Sequence, residues 1–226
     1  MTREVVLDTE TTGFDPAQGD RVIEVAAIEI VNLVPTGRHF HTLIDPERDV
    51  PPEATKVHGF TREHLIGKPK FAETVEQMLA FLQDSPIVAH NAPFDFGFLD
   101  AELKRAGHAP LDRGRMVDTV QIARARFPGL PNSLDALCRR FGIDLSARTT
   151  HNALLDVKLL AEVYLELRGG RQPGLTLAAT PMASASFRVE EAAPRTPRPI
   201  RPSEAQLAAH AEFLKKLKDP LWLKEG

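Results

Sequence analysis

Only one cysteine, Cys138, occurs in the chain, so no disulfide can form within it. A single thiol fits a reducing compartment, and we expect a cytoplasmic protein. No apolar run approaches the roughly 20 residues needed to cross a bilayer, so we expect no association with a membrane. Because Met1–Glu4 leads directly into a strand-like segment, we also expect no signal peptide before the fold.

An excess of positive charge is also missing from most of the sequence. Residues 1–167 carry 18 lysines and arginines against 25 acidic residues (net −7), whereas residues 168–226 carry 10 against 6 (net +4). Without a broad basic face, counterion release would add little affinity for nucleic acid. If the protein acts on nucleic acid, we expect either that a partner protein brings it to its substrate or that it binds only a short end of the nucleic acid.

The first acidic pair follows a short apolar run, Val5–Leu7. Residues two apart in a strand point to the same face, so Asp8 and Glu10 should project side by side, with Cα atoms roughly 6.5 Å apart. Such a pair can hold a cation, and without one the mutual repulsion should raise at least one pKa. A solvent-facing pair at a strand end is the alternative.

Strand-like and helical segments alternate along the first 168 residues. Arg21–Val34 and Arg38–Ile44 flank a turn at Pro35–Gly37, which predicts an antiparallel meander with the first strand. Glu24 and Glu29 are expected to face solvent. A buried strand is expected at 86–90, and helices at 51–60, 71–81, from 93 onward, 118–127, 133–140 and 152–168. This order predicts an α/β fold whose mixed central sheet, an antiparallel meander plus parallel strands, is flanked by helices.

The composition changes after residue 167. Residues 171–203 are rich in Pro, Ala, Ser, Thr and Arg, which predicts a disordered linker and a largely disordered C-terminal tail. Ser203 and Gln206 form a capping-box pattern before an apolar stripe that is too short to be a stable helix alone. We therefore expect a folded domain at 1–169, a linker at 170–202 and a segment that folds on a partner at 203–226.

Two further carboxylates are candidates for the place where Asp8 and Glu10 lie. Asp95 is in the first turn of a helix after a buried strand, where α/β folds put sites, although a helix-dipole role is the alternative. Asp156 lies more than 90° from the polar stripe of its nearly apolar helix, so its carboxylate should point into the fold. A metal ion or a buried arginine would offset the cost of burying it.

His151 precedes the Asp156 helix and is a candidate general base for activating water, or a helix-entry histidine without chemistry. Four carboxylates without a cluster of cysteine or histidine ligands favour Mg²⁺ or Mn²⁺. Two such ions can clamp a phosphodiester, so hydrolysis of phosphodiesters is the leading reaction class. These residues do not choose DNA or RNA, nor an end over an interior bond.

Three motifs resemble the DEDD exonuclease superfamily in its histidine-bearing (DEDDh) branch, which has a ribonuclease H-like fold. They are Asp8-x-Glu10-Thr11-Thr12-Gly13, His90-Asn91-Ala92-x-Phe94-Asp95 and His151-x4-Asp156, in matching order over residues 4–168. More narrowly, Phe127-Pro128-Gly129 and Asn132–Cys138 are similar to the family of epsilon (proofreading) subunits of bacterial DNA polymerase III. The resemblance implies a metal-dependent 3′→5′ DNA exonuclease that removes mispaired 3′-terminal nucleotides.

The resemblance also implies residue roles. Asp8, Glu10 and Asp156 would bind one metal, Asp8 would bridge to a second, Asp95 would act largely through water, and His151 would be the general base. The terminal nucleotide would contact the three metal ligands Asp8, Glu10 and Asp156, together with Thr11, Glu53, Val57 and His58.

The tail supplies the implied partners. Residues 172–177 resemble a sliding-clamp-binding peptide anchored by Gln172, Leu175 and Leu177, with Leu in place of the common final aromatic, which implies weak affinity. Residues 203–226 resemble the part that docks on the polymerase (alpha) subunit, and the family implies a small theta-like subunit as well. The alternatives are an RNA-trimming 3′ exonuclease of the ribonuclease T or oligoribonuclease type, and a non-catalytic subunit that stabilises the polymerase.

Overall fold

The computed structural model describes residues 2–146, 152–170 and 201–218. The chain divides into two compact units, Met1–Thr176 and Leu177–Gly226. The first unit holds all the described strands and the second holds one described helix. No helix within the described ranges is long and apolar enough to span a membrane.

A five-stranded mixed sheet forms the centre of the first unit, in the spatial order β3-β2-β1-β4-β5. β1 pairs antiparallel with β2, β2 pairs antiparallel with β3, and β4 and β5 continue the sheet in parallel with β1. The expected mixed α/β architecture is therefore confirmed. The strands are β1 (Arg3–Thr11), β2 (Val22–Val31), β3 (Val34–Leu43), β4 (Ile87–Ala89) and β5 (Met116–Asp118).

Helices cover both faces of this sheet, because alternate residues of β1 are apolar on both sides. Val5 and Leu7 pack into a cluster with helices α3 and α4, whereas Val6 packs into a second cluster with α6 and α7. The predicted helices are confirmed to within a few residues. The helices of this unit are α1 (Pro52–His58), α2 (Arg62–Leu65), α3 (Phe71–Leu82), α4 (Ala92–Arg105), α5 (Thr119–Arg126), α6 (Leu134–Phe141) and α7 (Ala153–Leu167).

The hairpin between β2 and β3 turns earlier than the sequence indicated. Asn32 and Leu33 form the turn, with φ values of 50° and 68°, and Pro35–Gly37 lies inside β3. Two left-handed residues give a hairpin turn whose twist matches that of its strands, and asparagine tolerates that conformation. The pairing of β2 with β3 changes register between Ile28 and Ile30, which accommodates the earlier turn. β5, with only three residues, was not predicted.

The expectation that Glu24 and Glu29 face solvent is wrong, since both are buried, with 0% and 5% exposure. Five positions apart, they point to opposite faces of a strand that is covered on both sides. The Glu29 carboxylate pairs with Arg3 Nε at 2.5 Å and with Arg38 Nη1 at 3.1 Å. The hydrogen bond from Arg3 holds the pKa of Glu29 below its usual value.

The second unit contains α8 (Glu204–Leu214), which begins with the predicted capping box. Ser203 Oγ accepts a hydrogen bond from the Gln206 amide, and the Gln206 side chain accepts one from the Ser203 amide. Leu207 and Phe213 are more than half exposed. The predicted disordered linker falls on residues of which 171–200 lie outside the described ranges.

We predict that Glu29→Ala lowers the free energy of unfolding by about 2 kcal/mol, the range for losing buried hydrogen bonds to a charged group. Arg3 retains its bonds to the carbonyls of Phe81 and Leu82, which limits the loss. Urea denaturation would measure the change. Arg139→Ala, which removes an exposed ion pair with Asp135, is the control and should cost less than about 0.5 kcal/mol. Equal losses in the two variants would contradict the burial of Glu29.

Candidate active site

The end of β1 carries acidic side chains on the face that α7 covers. Asp8 and Glu10 share this face with Val6, and the register places Ala26 opposite Asp8 and Glu24 opposite Glu10. Alanine opposite Asp8 leaves space for groups from the covering helix.

Asp156 enters this space from the first turn of α7. Its side chain is 3% exposed, and one carboxylate oxygen from each of Asp8, Glu10 and Asp156 lies within 4.8 Å of the others. The helix begins at Ala153 because the Asn152 side chain accepts a hydrogen bond from the Leu155 amide at 3.1 Å. The three carboxylates offer a compact set of oxygen donors from two elements.

Asp95 approaches from the opposite face of the sheet, in the first turn of α4. Its Oδ1 accepts hydrogen bonds from the Thr9 amide at 3.1 Å and from Thr9 Oγ1 at 2.8 Å. The turn before α4 is held by Asp118, which accepts from the amides of Asn91 and Ala92. The carboxyl ends of β1, β4 and β5 therefore converge here, as is usual for sites in α/β sheets.

Burial and neighbouring charges disfavour ionisation of Asp8 and Asp95. Burial raises the pKa of Asp8 well above its ordinary value, and the charges of Asp95, Glu10, Asp156 and Glu24 raise it further. Burial raises the pKa of Asp95 to about 7, although its hydrogen bonds from Thr9 oppose the shift. A cation bound here would relieve this repulsion.

A cleft of about 740 Å³ opens over the carboxylates. It is lined by every described residue that the sequence indicated for substrate contact. Thr11 is buried and donates to the Gly13 carbonyl at 2.6 Å, whereas Glu53 and Val57 present exposed side chains from α1. His58 is buried, and its Nδ1 accepts from the Phe60 amide at 3.1 Å. The lining residues are Asp8, Glu10, Thr11, Glu53, Val57, His58, Asp95 and Asp156, among others.

Two residues at the cleft were given no role of their own from the sequence. Phe14 is 85% exposed at the cleft, and His90, whose Nδ1 lies 2.9 Å from Thr119 Oγ1, also lines it. Phe14 directly follows the first motif and His90 begins the second, and these positions are the signal that could have found them. Glu24 was noticed and assigned to the wrong side.

The remaining indicated residues lie outside the described ranges. They are His151, the expected general base, and Gln172, Leu175 and Leu177, the expected clamp anchors. Their roles stay predictions.

The chain matches a family model and is similar to curated proteins of known name. The exonuclease family model (RNase_T) matches residues 5–164. DNA polymerase III subunit epsilon of Rickettsia conorii (strain ATCC VR-613 / Malish 7) is 46% identical over 221 residues, covering 95% of this chain and 96% of that protein. The same subunit of Escherichia coli (strain K12) is 46% identical over 178 residues, covering 76% of this chain and 73% of that protein.

Solved structures give the same fold. Exonuclease X in complex with 5′ overhanging duplex DNA aligns with a TM-score of 0.57 and 26% identity, over 74% of this chain and 91% of that chain. Exonuclease I aligns with a TM-score of 0.66 over 76% of this chain and 42% of that chain, and its 22% identity indicates the fold alone. The ribonuclease H-like fold and the resemblance carried by the three motifs are confirmed. The chain belongs to the exonuclease family, and its relatives include epsilon subunits of DNA polymerase III.

Proposed function

We propose that this protein is a 3′→5′ DNA exonuclease that removes mispaired 3′-terminal nucleotides as the proofreading subunit of DNA polymerase III. The observation that carries the proposal is the group of three carboxylates, Asp8, Glu10 and Asp156, in the cleft, with one oxygen from each lying within 4.8 Å of the others. Membership of the exonuclease family and the 46% identity to epsilon subunits support it.

Divalent cations suit this site. All three donors are carboxylate oxygens, the ligands that Mg²⁺ and Mn²⁺ prefer. Burial raises the pKa of both Asp8 and Asp95, and neighbouring carboxylates raise that of Asp8 further, so a bound cation would favour their ionised forms. We therefore propose two ions, Mg²⁺ or Mn²⁺. Asp8, Glu10 and Asp156 would hold one, and Asp8 and, through water, Asp95 would hold the other.

The bound cations, His151 and the residues of α1 would have separate roles in hydrolysing a terminal phosphodiester. Bound divalent cations supply Lewis acidity, which activates water and stabilises the leaving oxygen. His151 would take the proton from the attacking water. Glu53 and the Val57–His58 pair line the same cleft from α1, and with Thr11 they would hold the terminal nucleotide. An exposed valine offers an apolar surface for a base or sugar, and Glu53 offers a hydrogen-bond acceptor.

The C-terminal part would bring the enzyme to its substrate. Residues 1–169 would form the catalytic domain, 170–202 a linker with a clamp-binding peptide at 172–177, and 203–226 the segment that binds the polymerase (alpha) subunit. Leu207 and Phe213 of α8 are more than half exposed, so the helix presents apolar surface that a partner would cover. A small theta-like subunit would be a further partner, and the complex would act in the cytoplasm.

The substrate class is tested with the purified protein and Mn²⁺ on matched DNA and RNA oligonucleotides. We expect faster release of 3′ nucleotides from single-stranded DNA and from mispaired 3′ ends than from RNA. Asp8→Ala combined with Glu10→Ala should lower the rate by at least about 10³-fold, because the cation would lose two ligands. A strong preference for RNA, or activity that survives the double substitution, would contradict the proposal.

The metal-free protein should become less stable as the pH rises. Asp95, with a pKa of about 7, keeps its proton in the folded state over a range where the unfolded chain releases it, so its stabilising contribution is full below about pH 4 and is lost as pH rises through about 7. Asp8 shifts in the same direction. We expect the Tm to fall between pH 5.5 and pH 8, by about 4 °C or more, and excess Mg²⁺ to restore it at pH 8.

The control for this pH dependence is Asp95→Asn, which removes one of the titrating groups. Its Tm should fall less than that of the wild type over the same range in thermal scans without metal. A pH dependence identical to that of the wild type would show that Asp95 ionises normally.

Removal of residues 171–226 should separate hydrolysis from assembly. We expect the shortened protein to hydrolyse single-stranded DNA ends at a rate close to that of the full chain, since the cleft residues lie before residue 157. Association with the polymerase subunit, measured by gel filtration of the mixture, should be lost. Co-elution of the shortened protein with the polymerase would contradict the docking role of 203–226.

A further inference from the structure

We propose that Glu24 is a positioning residue for the proposed exonuclease reaction. Its buried carboxylate fastens the first turn of α7 to β2 and thereby sets the place of Asp156 against Asp8 and Glu10. The catalytic consequence rests on the proposed function, whereas the contacts of Glu24 do not depend on which reaction the protein catalyses.

Glu24 lies beside the three-carboxylate group. It pairs with Glu10 across β1 and β2, and its even-numbered position puts it on the face that α7 covers. It is fully buried, with 0% exposure. A carboxylate in such a place is costly unless both of its oxygens are hydrogen-bonded.

The two oxygens of Glu24 bind two different elements. Oε1 lies 2.7 Å from Nε2 of His41, on β3, and Oε2 accepts a hydrogen bond from the Ala153 amide at 3.1 Å. A single side chain on β2 thus joins an edge strand to the start of the helix that carries Asp156. Neither oxygen is turned to solvent.

The bond to Ala153 acts where a helix is weakest. The first amides of a helix have no acceptor within it, and a negative charge at that end is favoured by the helix dipole. Asn152 caps the Leu155 amide, and Glu24 takes the amide of Ala153. Asp156 follows within the same turn, so a shift of the helix start would move its carboxylate out of the group.

Outer partners of metal ligands change metal affinity or activity by about 10–100-fold when they are removed. We therefore expect Glu24→Ala to lower kcat by about 10–100-fold and to raise the Mn²⁺ concentration for half-maximal activity. Glu24→Gln keeps a side-chain oxygen that can accept from the Ala153 amide. The NH2 group of the glutamine would face His41 Nε2, which accepts a hydrogen bond when the histidine proton is on Nδ1. This variant should restore kcat to within a few-fold of the wild type.

Glu29→Ala is the matched control. Glu29 lies on the same strand and is also buried, but its ion pairs are with Arg3 and Arg38. Its loss should lower the Tm while leaving the Mn²⁺ dependence unchanged. His41→Ala, at a partly exposed residue, tests the same link if Glu24→Ala does not fold, and should raise the Mn²⁺ requirement several-fold.

Two measurements test the role of Glu24 without relying on nuclease activity. Glu24→Ala should reduce the rise in Tm that Mn²⁺ produces in the absence of nucleic acid. In the metal-free protein, it should also speed amide hydrogen exchange in the segment 152–160, measured on the peptide that covers it. Glu29→Ala should do neither. If Glu24→Ala only lowers the Tm, as Glu29→Ala does, the positioning role is wrong. If the wild type gains stability from Mn²⁺ but hydrolyses no DNA, the proposed function fails, and the exchange and Tm measurements still decide the role of Glu24.

Discussion

Repulsion among the carboxylates at the end of β1 is the constraint on which this structure depends. Asp8 is surrounded by the charges of Asp95, Glu10, Asp156 and Glu24, and burial adds to their effect on its pKa. A folded chain holds such a group together only by protonation, by hydrogen bonds or by a cation. Thr9 supplies hydrogen bonds to Asp95, and a proton held to about pH 7 supplies part of the rest. The same repulsion that weakens the metal-free fold favours binding of divalent cations.

The sheet brings these charges together because β1 lies in its middle and is covered on both faces. Even-numbered residues of β1 meet α7 and odd-numbered residues meet α3 and α4. Asp156 therefore arrives on the side of Asp8 and Glu10, while Asp95 reaches the same strand end from the other side through Thr9. Two helices that are far apart in sequence meet at one strand end, and Glu24 ties one of them to the neighbouring strand.

Strand alternation was sufficient to predict that Asp8 and Glu10 share a face, and helical periodicity was sufficient to turn Asp156 inward. Both are local consequences of backbone geometry and apolar spacing. The same logic failed for Glu24 and Glu29, since a strand that is covered on both faces has no solvated side. The position of the β2–β3 turn was also predicted wrongly. Pro-Thr-Gly is typical of a turn, but the turn is formed by two left-handed residues, Asn32 and Leu33.

The sequence by itself determined the order of the longer strands and helices, the family indicated by three motifs, and the kinds of ligand available, because these follow from local pattern and residue chemistry. The tertiary structure alone decided that Asp156 reaches the face of Asp8 and Glu10, and how near the three carboxylates lie to one another. It also decided that Glu24 is buried against His41 and Ala153. Such facts depend on register and on contacts between distant residues, such as Glu24 and Ala153, which are 129 positions apart, and no local pattern carries them.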